Sequence, residues 1–177
     1  MKNLVILLFG TLFLVSCADR PSLQKYFVKN TESSAFIAVD LPPSLIKTDK
    51  FVLSEAEKEA LKSFDKMNIL AFKSDSSNAV AYDKEILEVK TILKDESYQQ
   101  LMKVGSGSDG ASIYFVGADD EHIEEFVILA GKKENGFAVI RVLGTNMNPT
   151  HVFNMIAILQ KSDVNLEQLK PLQALVK

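Results

Sequence analysis

The sequence predicts an α+β domain, with a mixed sheet of about five strands that ends in an antiparallel three-strand meander and packs against helices. Three observations lead to this class. Two segments open with helix-capping chemistry, one at Ser54 and one at Asn148 followed by Pro149. Three β-rich runs, 112–116, 125–130 and 137–143, follow one another, with a turn signal at Asn135-Gly136 before the last. Helical and strand-like stretches succeed each other with no internal repeat and no linker long enough to divide domains.

The N-terminus reads differently from the rest. Lys2 is followed by an apolar run over residues 4–15, broken only by Gly10 and Thr11. About a dozen apolar residues is too short to span a bilayer, which takes about 20, and suits the core of a signal peptide over residues 1–16. The run ends in Leu14-Val15-Ser16-Cys17, which resembles the lipobox of bacterial lipoproteins. That resemblance implies cleavage before Cys17 and lipid attachment to its sulfur. Residues 17–34 are then expected to form the lipidated N-terminus and a short tether or helix, and residues 35–177 a single α+β domain.

Along that domain the elements follow from spacing. Leu23, Tyr26 and Phe27 share one face of a short helix. Residues 35–41 read as a strand, closed by Pro42-Pro43. Ser54 with Glu57 has capping-box spacing, and Ala56, Ala60, Leu61, Phe64 and Met67 continue one helical face. A short strand over 69–72 and a polar loop over 74–78 come next. Tyr82, Ile86, Val89 and Leu93 mark a second helix, and Tyr98, Leu101 and Met102 a further short one. A glycine-rich loop over 105–110 leads to the three-strand meander. Val152, Phe153, Ile156 and Leu159 give the helix after Asn148 its apolar face. Leu166, Leu169, Leu172 and Leu175 follow, interrupted by Pro171.

Charge and composition narrow the function. The net charge is −3, and Lys2 is the only charge of the leader, so the remainder is more acidic still. That balance lacks the basic stripe that phosphate neutralisation needs, so nucleic acid is not an expected partner. The single cysteine is Cys17, which leaves the domain no disulfide and no thiolate metal site. Two histidines, His122 and His151, are too few for a histidine-rich metal centre.

The domain resembles a family of short Bacteroidetes lipoproteins that carry a domain of unknown function. The likeness lies in Leu23-Gln24-Lys25-Tyr26-Phe27, in Ile92-Leu93-Lys94-Asp95 with Tyr98 and Leu101-Met102, and in Gly136-Phe137 leading to Arg141-Val142-Leu143-Gly144. It covers most of residues 20–160. The resemblance implies no activity, cofactor or catalytic residue.

The remaining motifs divide on their chemistry. Residues 105–110 match G-x-G-x-x-G, but a helix is expected before them and a strand after, the reverse of a dinucleotide site. Asp119, Asp120, Glu121, His122, Glu124 and Glu125 form an acidic cluster without calcium-loop spacing, which reads as a solvated turn. His151 could act with Asp163 or a glutamate, although a histidine in a first helical turn is ordinarily surface or cap decoration. Arg141 interrupts an apolar strand on the face of Phe137, Val139 and Leu143. It needs a partner there, with Asp40 and Glu125 as candidates, or it is a contact for a bound protein. No catalytic, cofactor or metal residues are therefore expected. The function expected is a membrane-anchored, non-enzymatic interaction or regulatory module of the cell envelope, held in the outer membrane facing the periplasm through Cys17 and binding an envelope protein. The alternative is a small-ligand binder or enzyme whose site is not visible in sequence.

Overall fold

A computed structural model describes residues 21–106 and 109–162. The expected signal peptide, Cys17 and the leucines after Asp163 lie outside the described residues. The element order is α1 (Leu23–Asn30), β1 (Phe36–Leu41), a 3-10 turn (Pro43–Leu45), α2 (Glu55–Ser63), β2 (Phe64–Lys73), α3 (Ala79–Ile92), β3 (Gln99–Ser106), β4 (Asp109–Gly117), β5 (Ile123–Lys132), β6 (Gly136–Met147) and α4 (Pro149–Lys161).

The α+β class and the β4–β5–β6 meander stand. The sheet has six strands in the order β1-β2-β6-β5-β4-β3. All of its pairs are antiparallel, where a mixed sheet of about five was expected. The additional strand is β3, which occupies the place of the expected helix around Leu101 and Met102. A second difference is at Phe64 and Met67, which lie in β2 and not in an extended α2.

Both differences have one cause. The pairing register shifts between Phe64 and Lys66 and again between Gln100 and Met102. A bulge adds a residue on one strand, so side chains three apart return to the same face. Phe64 and Met67 both enter one core in this way, and a spacing of three in sequence reads as helical.

Both faces of the sheet carry cores. On one face α1 and α3 cover Leu70, Phe72, Val127, Leu129, Phe137 and Val139. Phe72 and Phe137 stack there at 5.7 Å, with Tyr82 of α3 edge-on to Phe137. Helix α1 is an integral part of this layer, with Leu23, Tyr26 and Phe27 buried, so the folded unit begins ahead of residue 35. Burying each such side chain contributes about 1.5–3 kcal/mol. Polar contacts tie α1 to α3: Tyr26 donates to Glu85 at 2.9 Å, and Lys29 pairs with Glu88 at 3.0 Å. Burial, then the hydrogen bond to Glu85, pushes the Tyr26 phenol well above its ordinary range.

On the other face α2 and α4 cover Met67, Phe115, Phe126 and Val142 with Ala60, Val152, Met155 and Ile158. The Ser54–Glu57 capping box forms as expected. The same glutamate also accepts from Lys161 at 2.6 Å, so one buried carboxylate caps the start of α2 and holds the end of α4. Gly136 closes the β5–β6 connection at φ 122°, and a Cβ there would lie 1.9 Å from the Phe72 carbonyl oxygen of β2. Only glycine meets both demands. No helix among the described residues is long and apolar enough to cross a membrane.

The hydrogen bond from Lys161, then the one from the Ser54 amide, hold the Glu57 carboxyl at about 2, below its ordinary value of 4.5. A carboxyl lowered on folding stabilises above its unfolded value, and the gain is lost as pH falls through the folded one. Glu57→Gln should therefore melt below wild type at neutral pH, with the gap closing between about pH 4.5 and pH 2. Thermal melts of both proteins across that window check it, and a pH-independent gap would contradict it.

Candidate functional site

Arg141 lies on the α1–α3 face of β6, in register with Asn68 of β2 and Val127 of β5. It is 5 % exposed. Its Nε and Nη2 donate to the two carboxylate oxygens of Glu125, at 2.6 and 2.9 Å, the bidentate geometry that suits a guanidinium. Its Nη1 donates to Gln24 Oε1 of α1 at 2.7 Å, and the Phe27 ring centroid lies 5.3 Å from its central carbon. Of the two partners anticipated, Glu125 is the one used. Asp40 instead accepts from the side-chain amide of Asn68. Arg141 is thus an internal tie between β5, β6 and α1. Its side chain points into the fold, with the fork held by Glu125 and Gln24.

The other motifs separate. In 105–110, Gly105 pairs with Gly110 and Ser106 with Asp109, closing the β3–β4 hairpin. Among the described residues of this stretch no helix starts, and the phosphate-binding use of the motif needs a helix N-terminus. Beside it lies a cavity of about 30 Å³, bordered by Ile86, Lys90, Lys103, Ser112 and Gly131. That is room for water and far below the roughly 300 Å³ of a ligand pocket. Among the described residues the buried Tyr82 hydroxyl has no hydrogen-bond partner.

In the acidic turn, His122 Nδ1 lies 2.7 Å from Asp119 Oδ1, and both side chains are exposed. The hydrogen bond with His122 and the Glu121 amide hold the Asp119 carboxyl below its ordinary value. Among the described residues no three histidine, cysteine or carboxylate side chains are grouped to hold a metal. Asn148 caps α4 as expected, accepting from the His151 amide at 3.0 Å. Among the described residues the buried His151 Nδ1 has no hydrogen-bond partner, and Asp163 lies outside them.

Two surfaces emerge that single motifs did not reveal. The first is β3, which is an edge of the sheet. It exposes Leu101, Met102 at 44 % and Val104 at 57 %, beside backbone groups with no neighbouring strand among the described residues. The second is the part of the α2–α4 face beyond those helices. One row across the strands is Ile140 of β6, Ile128 of β5, Ile113 of β4 and Met102 of β3. The next is Ala138, Ala130, Ala111 and Val104 on the same four strands. The isoleucines and alanines are only partly buried. A signal for this surface was present in the sequence: Ile69-x-Ala71, Ala111-x-Ile113, Ile128-x-Ala130 and Ala138-x-Ile140 reverse with strand direction, as one flat row pair requires.

A family model described as a domain of unknown function (DUF4252) matches residues 26–155. No curated protein and no solved structure matches the chain.

The ion pair at Arg141 yields a double-mutant test. Arg141→Met leaves Glu125 and Gln24 facing apolar surroundings and should cost about 3–5 kcal/mol of stability. Replacing Glu125 with Leu in the same chain removes the orphaned charge and should restore most of that loss. Denaturant unfolding of wild type, both single variants and the double variant measures it. Additive losses would show that the two side chains do not depend on each other.

Proposed function

The chain belongs to the DUF4252 family, and we propose that it serves as a lipid-anchored interaction module of the bacterial cell envelope. In this reading Cys17 carries the acyl anchor, in the outer membrane facing the periplasm, and the domain acts by binding a protein partner and not by turnover. The observation that carries the binding role is the edge strand β3. Natural sheets protect their edges with charge, proline, bulges or cover, because an open edge templates another strand. Here the bulge at Leu101 and the single charge of Lys103 stand beside three exposed apolar side chains. An extended segment of a partner would add to this edge through main-chain hydrogen bonds, with Leu101 and Val104 supplying side-chain contacts.

Two experiments test the reading. Cys17→Ala should abolish acyl labelling in cells and leave an unprocessed precursor; normal processing and labelling of that variant would remove the anchor assignment. For the binding role, the anchored protein is cross-linked in native envelopes and recovered. Leu101→Lys/Val104→Lys should reduce partner recovery at least tenfold with an unchanged melt. Val80→Lys, at a more exposed apolar site on α3, should leave recovery intact. Equal recovery from all three proteins would exclude the β3 edge as the binding surface.

A further inference from the structure

Helix α1 is held to the domain chiefly by side chains. The main-chain hydrogen bonds of the stretch close within it: Tyr26 to Ser22, Thr31 to Phe27, Ser33 to Asn30 and Phe36 to Ser33. Its tertiary attachments are the buried Leu23, Tyr26 and Phe27, with Gln24 on Arg141, Tyr26 on Glu85 and Lys29 on Glu88. The Leu23 amide adds one bond to the Tyr98 hydroxyl. We propose that α1 is a releasable strap, which detaches as a unit while the sheet stays folded and thereby lengthens the tether of the domain. Its use rests on the anchor reading, since a tether matters only if Cys17 is fixed in a membrane.

Connectivity, charge and length carry this assignment. The strand after α1 is β1, which ends the sheet and pairs with β2, so α1 can leave without unpairing a ladder. Release orphans no buried charge. Arg141 keeps both bonds to the Glu125 carboxylate and gives up only a neutral acceptor, Gln24, and the Phe27 ring. Lys29 and Glu88 already reach solvent while paired. Burial of three side chains closes the strap, and the entropy of ordering residues 23–35 opposes it. Units balanced in this way open below the free energy of global unfolding. Docked, α1 spans about 12 Å. Released, residues 23–35 reach about 45 Å at 3.3–3.6 Å per residue. The open strap therefore carries the sheet well beyond the reach of the residues before Leu23 alone.

Trypsin tests the strap. Lys25 and Lys29 lie in α1, and Arg20 before them is followed by Pro21, a bond that trypsin resists. A helical site is cut only from an opened form, so with fast reclosing the initial rate follows the open population. The full chain, purified from cells that process it, is bound to phosphatidylethanolamine–phosphatidylglycerol vesicles and digested. New N-termini at Tyr26 and Asn30 should appear at least tenfold faster than any within β2–β6. Gln24→Ala, which removes a hydrogen bond to a charged group, should speed both cuts about tenfold and leave the internal ones unchanged. Tyr26→Phe keeps the ring and loses the bond to Glu85; it too should speed the cut at Lys29, which checks a single opening unit by a second variant. Internal cuts as fast as those in α1 would overturn the proposal. So would acceleration of all sites together, or of only the site nearest each substitution, or unchanged rates in both variants. Vesicle attachment scores the anchor and cleavage rate scores the strap, so failure of one is distinguishable from failure of the other.

Discussion

A single antiparallel sheet whose two faces both need cover is the constraint on which the rest of this structure depends. Six strands in one layer leave no second sheet to bury them, so helices must come from both sides. The chain meets this by sending α1 and α3 to one face and α2 and α4 to the other. The interior strands β2 and β6 accordingly carry apolar residues on both faces: Ile69 beside Leu70 and Val139 beside Ile140. Among the described residues the helices cover the middle of both faces, and the aliphatic rows toward the hairpin are half-buried.

The buried charges sit where covering elements must be held in one position. Apolar burial alone is non-directional and would let a short helix slide on its sheet. Arg141 fixes α1 through Gln24 and Phe27 while its main partner, Glu125, belongs to the neighbouring strand. Glu57 performs the equivalent task on the opposite face, where one carboxylate joins the first turn of α2 to the last turn of α4. In each case the charge is fully hydrogen-bonded, which is the condition for keeping it inside at a tolerable cost. Both ties close over long sequence separations, so they define tertiary placement and not local structure.

That distinction explains what was legible in the sequence. Local chemistry declared itself: the Ser54 capping box, the Asn148 cap with Pro149, the periodicity of Tyr82, Ile86 and Val89, and the turn at Gly136. The partner of Arg141 was also narrowed correctly, since Glu125 belongs to a neighbouring strand of the meander. The β-bulges were not legible. At Phe64–Lys66 and Gln100–Met102 the shift of register turns a spacing of two into a spacing of three, and a strand imitates one helical turn. Missing β3 hid the edge surface, because a sheet's edge is defined only once every strand is counted. The rows on the sheet face needed the register between four strands, which no single-segment pattern contains. Their reversed Ile-x-Ala spacing became readable only when the strand directions were known.

The position of α1 links the fold to the proposed anchor. Its first residue, Leu23, is fully buried, and its amide donates to the Tyr98 hydroxyl at 3.4 Å, immediately before β3 begins. If Cys17 holds the lipid, only the few residues up to Ser22 separate the bilayer from the folded unit. At about 3.3–3.6 Å per residue, they reach at most about 20 Å. The domain is then held close against the membrane, with the start of the β3 edge at its membrane-proximal end. A partner strand adding to that edge would run away from the bilayer or toward it, and would itself have to lie within about one domain's height of the surface. Such a short tether raises the effective concentration of the domain for membrane-bound partners and lowers it for proteins deep in the periplasm. On the proposed lipid anchor, so short a tether favours a partner that is itself anchored in, or resting on, the same membrane.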